Sequence, residues 1–387
     1  MLPFLRPELA AIKAYKPHPP SPHPVDPLDT NESPFDLPAD LKVKLADHYQ
    51  QHIQANRYPD GGHLALKQAL VAYVCESMGT LSEGPATSEG PATEQPALST
   101  ENMSIGNGSD ELIRSLLLAT CLGTGKGILT AAPTFSMYGI LAQTLGIPVV
   151  TLPRRESDFQ MNLDQAQQAI DQGSVRVIFM VHPNSPTGNR LTEAELDWLR
   201  SQPKSVLIVV DEAYFEFSQH TTAAEALTRP NWVVLRTFSK AFRLAAHRVG
   251  YAIACPELIE ALEKLRLPYN LPSFSQAAAQ VALTHRDLLL GAIPTLLNGR
   301  QQLQTALADQ PALRIWPSDA NFIYARLSDV GLQQFGPDPH AGLAHLHQQL
   351  QQLGTLIRHT GSGLRLTVGT PAENQHTCQN VAKVLTP

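Results

Sequence analysis

Lys240 lies in the stretch Arg236-Thr-Phe-Ser-Lys240-Ala-Phe-Arg-Leu-Ala-Ala-His-Arg248, directly after the apolar run Trp232–Leu235. A primary amine among hydroxyls and guanidiniums can condense with an aldehyde while its neighbours hold an anion. Upstream, the apolar pattern Val206–Val210 ends in Asp211-Glu-Ala-Tyr214, which delivers a carboxylate and a phenol to the same kind of position. Both runs have the length and β-branched content of buried strands. Groups that follow such strands gather at the carboxyl edge of an open α/β sheet, where ligands bind.

One lysine, one aspartate, one tyrosine and a Ser/Arg pair suited to phosphate make the set an enzyme needs to hold pyridoxal phosphate. The lysine bonds the aldehyde, the aspartate pairs with the pyridinium nitrogen, and the ring then serves as an electron sink. Further motifs surround this set. Gly106-Asn-Gly108-Ser-Asp-Glu111 precedes a helical pattern, with Ser109 or Asp110 placed to cap it, and free N–H groups at such a start suit a phosphate. It is not the dinucleotide fingerprint, because Glu111 stands where the third glycine belongs. His182-Pro-Asn184-Ser-Pro-Thr-Gly188 reads either as a plain exit turn or as a turn that carries Asn184 over the ligand; its place after the apolar run Val175–Val181 favours the second.

Two other motifs are set aside. Gly123-Thr-Gly-Lys-Gly127 lacks the spacing and the Ser/Thr of a nucleotide loop. His340, His345 and His347 share no clean helical face and have no carboxylate or cysteine to complete a ligand set, so no metal site is expected.

The elements that must position these groups follow from periodicity. Between residues 100 and 255, apolar runs at Ile128–Ala132, Val149–Leu152, Val175–Val181, Val206–Val210, Trp232–Leu235 and Val249–Ala254 alternate with segments of helical length. This predicts an α/β fold, a three-layer large domain built on a mainly parallel sheet. Beyond it the pattern becomes a long helix over Ser275–Asp309, short strands and a Gln/His/Leu helix, which predicts a smaller α+β domain. The expected division is an N-terminal arm over 1–45 that joins the small domain, a large domain over 46–285 and a small domain over 286–387. Prolines at 17, 19, 20, 22, 24 and 27 keep the arm extended. The near-tandem Glu83–Thr93 reads as a surface insertion without an assigned role.

Composition narrows the class. With 387 residues, 17% charged and a net charge of −6, the chain shows no basic stripe for nucleic acid. Four widely spaced cysteines with no C-x-x-C pair argue against a disulfide framework and fit a reducing cytoplasm. No run approaches the about 18 apolar residues of a membrane span, and the N-terminus lacks a signal core.

With these pieces in order, the chain resembles the fold type I, class II pyridoxal-phosphate aminotransferases and, within them, the histidinol-phosphate aminotransferases. The resemblance runs through Leu28-Asp-Thr-Asn31-Glu-Ser-Pro34, Arg57-Tyr58-Pro59, Asn107–Glu111, Ala132-Pro-Thr-Phe135, Pro183–Gly188, Asp211–Tyr214, Arg236–Phe242 and Arg358–Thr370. It implies that Lys240 bonds the cofactor and that Asp211 pairs with its ring nitrogen. Tyr214 and Asn184 would bond the phenolic oxygen and Phe135 would stack on the ring, while Ser109, Asp110, Ser239 and Arg248 would surround the phosphate. Tyr58 would reach the neighbouring subunit's cofactor in a homodimer, and Tyr15, Asn31, Arg358 and Arg365 would shape the substrate pocket. The implied reaction passes an amino group between L-histidinol phosphate and 2-oxoglutarate, giving imidazole-acetol phosphate and glutamate. Decarboxylation of phosphothreonine and transamination of aromatic amino acids are the rivals on the same scaffold. A cofactor-sensing regulator is disfavoured, since the proline-broken arm supplies no helix-turn-helix. Phe135 stands where a tyrosine is common, Ala246-His247 where Gly-Leu is usual, and His182 and Ser185 where asparagines are common, departures that bear on specificity more than on cofactor binding.

Overall fold

The computed structural model describes residues 4–6, 24–79 and 98–385. Tyr15 and the Glu83–Thr93 insertion lie outside the described residues.

The central sheet has seven strands, β2 (Met103–Asn107), β3 (Gly127–Ala132), β4 (Val149–Pro153), β5 (Val175–Val181), β6 (Leu207–Asp211), β7 (Trp232–Thr237) and β8 (Val249–Ala254), in the order β2-β8-β7-β6-β5-β3-β4. Every neighbouring pair is parallel except the two made by β8, which runs against β2 and β7. Successive side chains of a strand point to opposite faces, so each strand feeds two cores. In β6, Ile208 and Val210 join Trp232 and Val234 of β7 in one core, with Leu66 and Leu70 from the helix Leu64–Gly79. Leu207 and Val209 join Val233 and Leu235 in the other, with Leu112 and Leu116 from the helix Ser109–Thr120. This is the helix–sheet–helix layering that the continuous apolar runs predict.

The second sheet is antiparallel, β9 (Leu313–Ile315), β10 (Phe322–Leu327), β12 (Arg358–Thr360) and β13 (Gly363–Thr367), in the order β12-β13-β10-β9. A two-residue strand, β1 (Asp26–Pro27), pairs in parallel with β11 (Thr355–Leu356), laying the N-terminal segment beside this sheet. Helices Ile293–Ala308, Pro339–Gln352 and Pro371–Leu385 pack on it through Leu303, Leu307, Leu346 and Val381.

One expected element is corrected. The long helix over Ser275–Asp309 is three helices, Ser273–Thr284, Arg286–Leu290 and Ile293–Ala308. Pro294 sits in the first turn of the third, where its missing N–H costs nothing; deeper in a continuous helix the same ring would clash and remove a bond.

Candidate active site

The carboxyl ends of the parallel strands open onto a cavity of about 630 Å³. β6 delivers Asp211 to it, β7 ends in Thr237 and is followed into it by Ser239 and Lys240, and β3 is followed by Thr134 and Phe135. The turn after β2 brings Ser109 and Asp110. From the second sheet, Arg358 and Arg365 also line it.

Lys240 Nζ donates to the Thr30 carbonyl at 2.6 Å. Burial, helped by the cations Arg365 and Arg248 and opposed by Glu32, lowers its ammonium to about 8 from the ordinary 10.5. A good fraction of the amine is therefore neutral near physiological pH, as a nucleophile or base requires. Asp211 is 3% exposed. Burial pushes its carboxyl up to about 6, while two donors work the other way: the Tyr138 hydroxyl at 2.7 Å and the Ala213 N–H at 3.1 Å. A buried carboxylate with open space on one side is completed by a cationic ring or a proton. Tyr214 lines the cavity, and its hydroxyl accepts from Asn31 Nδ2 at 2.9 Å.

The start of the helix Ser109–Thr120 forms a cradle. Gly108 takes the capping position, with φ 74°, so neither Ser109 nor Asp110 caps; both are instead the first helical residues, with N–H groups unspent by the helix. A Cβ at Gly108 would come within 2.5 Å of Arg248 Nη2, and one at Gly250 within 2.5 Å of the Ser109 nitrogen. Arg248 Nη1 donates to Ser239 Oγ at 3.2 Å, and Nη2 lies 3.5 Å from Asp110 Oδ2. Free N–H groups at a helix start, two serine hydroxyls and a guanidinium fork suit a phosphate monoester. With Lys240 and Asp211 lining the same cavity, the donor set fits pyridoxal phosphate.

Arg358 and Arg365 are direct partners across the β12–β13 hairpin. The hairpin turns through Gly361 and Ser362, both at φ 59°, the left-handed pair that a two-residue turn demands. A Cβ on Gly361 would come within 2.7 Å of Pro133, so the turn packs against the segment that carries Phe135. Arg365 donates to Ser185 Oγ at 3.1 Å and to the Asp29 carbonyl at 2.6 Å.

Of the other expected site residues, two are engaged within the protein and one lies outside this chain's cavity. Asn31 is wholly buried behind the cavity wall, at φ 55°, and bonds Tyr214 and Thr367. Asn184 spends its amide on Pro133 O at 3.0 Å, Thr187 Oγ1 at 2.6 Å and Thr134 Oγ1 at 3.0 Å, which braces the turn beneath Phe135. Tyr58 lies outside the cavity, 81% exposed and stacked on Tyr269 with ring centres 4.5 Å apart.

Sequence reasoning missed Tyr138. It follows Phe135 by three residues at the start of the helix Met137–Thr144, stacks on Phe179 at 4.6 Å and bonds Asp211. The signal available was a phenol one turn after a ring already assigned to the site.

Residues 25–381 match the family model of aminotransferase class I and II. The histidinol-phosphate aminotransferase of Trichodesmium erythraeum (strain IMS101) is 54% identical, over 98% of this chain and 99% of its own length. Histidinol-phosphate aminotransferase 2 of Nostoc sp. (strain PCC 7120 / SAG 25.82 / UTEX 2576) is also 54% identical, over 100% and 98%. Among solved structures, the histidinol-phosphate aminotransferase from Sinorhizobium meliloti in complex with pyridoxal-5'-phosphate superimposes with a TM-score of 0.80 at 21% identity, covering 100% of this chain and 98% of that one. The L-threonine-O-3-phosphate decarboxylase from Porphyromonas gingivalis superimposes at 0.72 and 19%, covering 92% and 98%, so the fold by itself does not choose the reaction. The identity over the full chain does separate them, and the chain belongs to the class I and II aminotransferase family, among its histidinol-phosphate aminotransferases.

Proposed function

We propose that this chain transfers an amino group between L-histidinol phosphate and 2-oxoglutarate, with pyridoxal phosphate held by Lys240, in the histidine biosynthetic route. The observation that carries the reading is that Lys240, Asp211, Arg358 and Arg365 line one cavity, the first two from the large sheet and the arginines from the second. Bound pyridoxal phosphate supplies an aldehyde that takes up an amine and a protonated ring that accepts the electron pair left when the substrate carbon loses its proton.

The residues of the chain do the rest. Lys240 Nζ, with its pKa lowered to about 8, removes that proton and returns it. Asp211, ionised, would pair with the ring nitrogen and hold a proton there, and Tyr138 donates to the carboxylate and holds it in place. Tyr214, oriented by Asn31, would bond the ring oxygen, and Phe135, over the Asn184 brace, would cover the ring face. Ser109 and Asp110 offer backbone N–H groups to the phosphate, and Ser239 and Arg248 complete the grip.

Arg358 and Arg365 take the carboxylate of glutamate or the phosphate of histidinol phosphate in turn, because a guanidinium fork binds either anion bidentately. The active unit in this reading is a cytoplasmic homodimer in which Tyr58 crosses to the neighbour's cofactor. The test is a comparison of amino donors to 2-oxoglutarate: L-histidinol phosphate should exceed histidinol, phosphothreonine and phenylalanine in kcat/KM. Equal rates with phenylalanine would move the reading to an aromatic aminotransferase, and carbon dioxide release from phosphothreonine to the decarboxylase.

A further inference from the structure

Strand alternation puts a second pair of residues back to back with the site. Asp211 and Thr237 face the cavity. Their neighbours Glu212 and Arg236 face the other side of the sheet, near Trp232 and Val234, and meet there with Arg236 Nε 3.0 Å from Glu212 Oε2. Both side chains are withdrawn from water, 1% and 0% exposed.

The two charges are fully engaged. Arg236 Nη1 donates to Ser77 Oγ at 3.1 Å and Nη2 to Thr221 Oγ1 at 2.7 Å, with the guanidinium carbon 3.8 Å from the centre of the Phe215 ring. Glu212 accepts from Thr221 Oγ1 at 2.7 Å and from the Thr222 N–H at 2.6 Å. Taking such a pair out of water is costly, and apolar side chains of the same volume often hold a fold as well or better. Stability alone is therefore a weak reason for the pair to be here, and its location offers a better one. The Glu212 N–H donates to Leu235 O at 2.8 Å, tying the end of β6 to β7 one residue beyond Asp211. Arg236 immediately precedes Thr237, whose hydroxyl receives the Ser239 N–H at 3.1 Å and so sets the turn leading to Lys240.

We propose that the buried Arg236–Glu212 pair fixes the spacing of the two strand ends that carry Lys240 and Asp211, and that both are positioning residues for the transamination. The proposal rests on the function inferred above. The reacting groups must be held to a fraction of an ångström, and a pair anchored on both strands sets that spacing where two apolar side chains would let it drift.

The test compares the folded double variant Arg236→Met/Glu212→Leu and the single variant Glu212→Gln with the parent chain. In the double variant Glu216, pushed up to about 7 by burial, is free to take a proton once Arg236 is gone, so no charge is stranded. The double variant should keep its melting temperature within a few degrees while kcat falls by about ten-fold or more, with KM for glutamate and histidinol phosphate within about two-fold. A readout independent of turnover is the pH midpoint for reductive methylation of Lys240 in cofactor-free protein, read by mass spectrometry. It should lie near 8 in the parent and move upward in the variants as Lys240 leaves its buried place.

A folded double variant with the parent's kcat and Lys240 midpoint would overturn the proposal, and so would an unchanged Glu212→Gln protein if the double variant does not fold. If the parent fails to transaminate any of the named amines, the functional reading falls instead. A shifted Lys240 midpoint would then still stand for the pair.

Discussion

The Tyr138 hydroxyl stands 2.7 Å from Asp211 Oδ2, a phenol from the helix after β3 donating to the carboxylate at the end of β6. Burial alone drives Asp211 toward its neutral form, and this bond draws it back. A donor to a charged acceptor contributes about 1.5–3 kcal/mol. Tyr138→Phe should therefore raise the Asp211 pKa further and lower kcat by roughly ten- to a hundred-fold, with KM for glutamate little changed. The rate–pH profile checks it: the acid limb should move to higher pH in the variant. An unchanged limb would mean that the bond does not set the charge of Asp211.

Asp211 itself gives a stability prediction with a definite sign. Its folded pKa, about 6, lies above the ordinary 3.8, so folded protein without cofactor holds this proton more tightly than the unfolded chain. The cost of ionising it is absent below pH 4, grows between 4 and 6 and is fully present above 6. Asp211→Asn should then stabilise the cofactor-free protein at pH 7.5 by at most about 3 kcal/mol, and the gain should vanish near pH 4. Urea unfolding at the two pH values decides the matter. The same variant should bind pyridoxal phosphate more weakly and lose most of its turnover.

Lys240 carries the opposite sign. Its ammonium is lowered to about 8, so the neutral amine appears well before that of an ordinary lysine at 10.5. Trapping of pyridoxal phosphate by borohydride on cofactor-free protein should rise with pH through a midpoint near 8, on a single peptide containing Lys240. Lys240→Ala should abolish that adduct. A reduced adduct of unchanged yield in the variant would mean that another amine holds the cofactor.

These residues differ in how far the sequence discloses them. Lys240 and Asp211 were legible because each follows an apolar run whose length and branching identify a strand, and a parallel sheet sends all such ends to one edge. The layered sheet was legible for the same reason. Tyr138 was not, because its partner comes from 73 positions away and a tyrosine among Met137, Ile140 and Leu141 reads as core. The Glu212–Arg236 pair was hidden likewise, since alternation fixes which face a residue takes but not what it meets there. The helix cap was misjudged because serine and aspartate are the usual capping residues, whereas here the close approach of Arg248 reserves that position for Gly108.

In the proposed reading, substrate choice rests on the arginine pair. Arg365 is fixed by Ser185 and the Asp29 carbonyl, and Arg358 sits directly across the hairpin from it, so the two present guanidiniums from one rigid turn. Histidinol phosphate has no carboxylate on its amine-bearing carbon, and the phosphate is the group left for orientation. Removing one member of a charge-assisted contact costs about 2–5 kcal/mol, or roughly thirty-fold to a few thousand-fold in kcat/KM. Arg365→Ala should impose a loss of that size on both half-reactions, since in the proposed reading glutamate uses the same anion site. Arg365→Lys should recover little, because an ammonium keeps the charge without the fork. Single-turnover rates with L-histidinol phosphate and with glutamate, measured separately, provide the check. A loss confined to one donor would place the other anion elsewhere in the cavity and break the shared-site account.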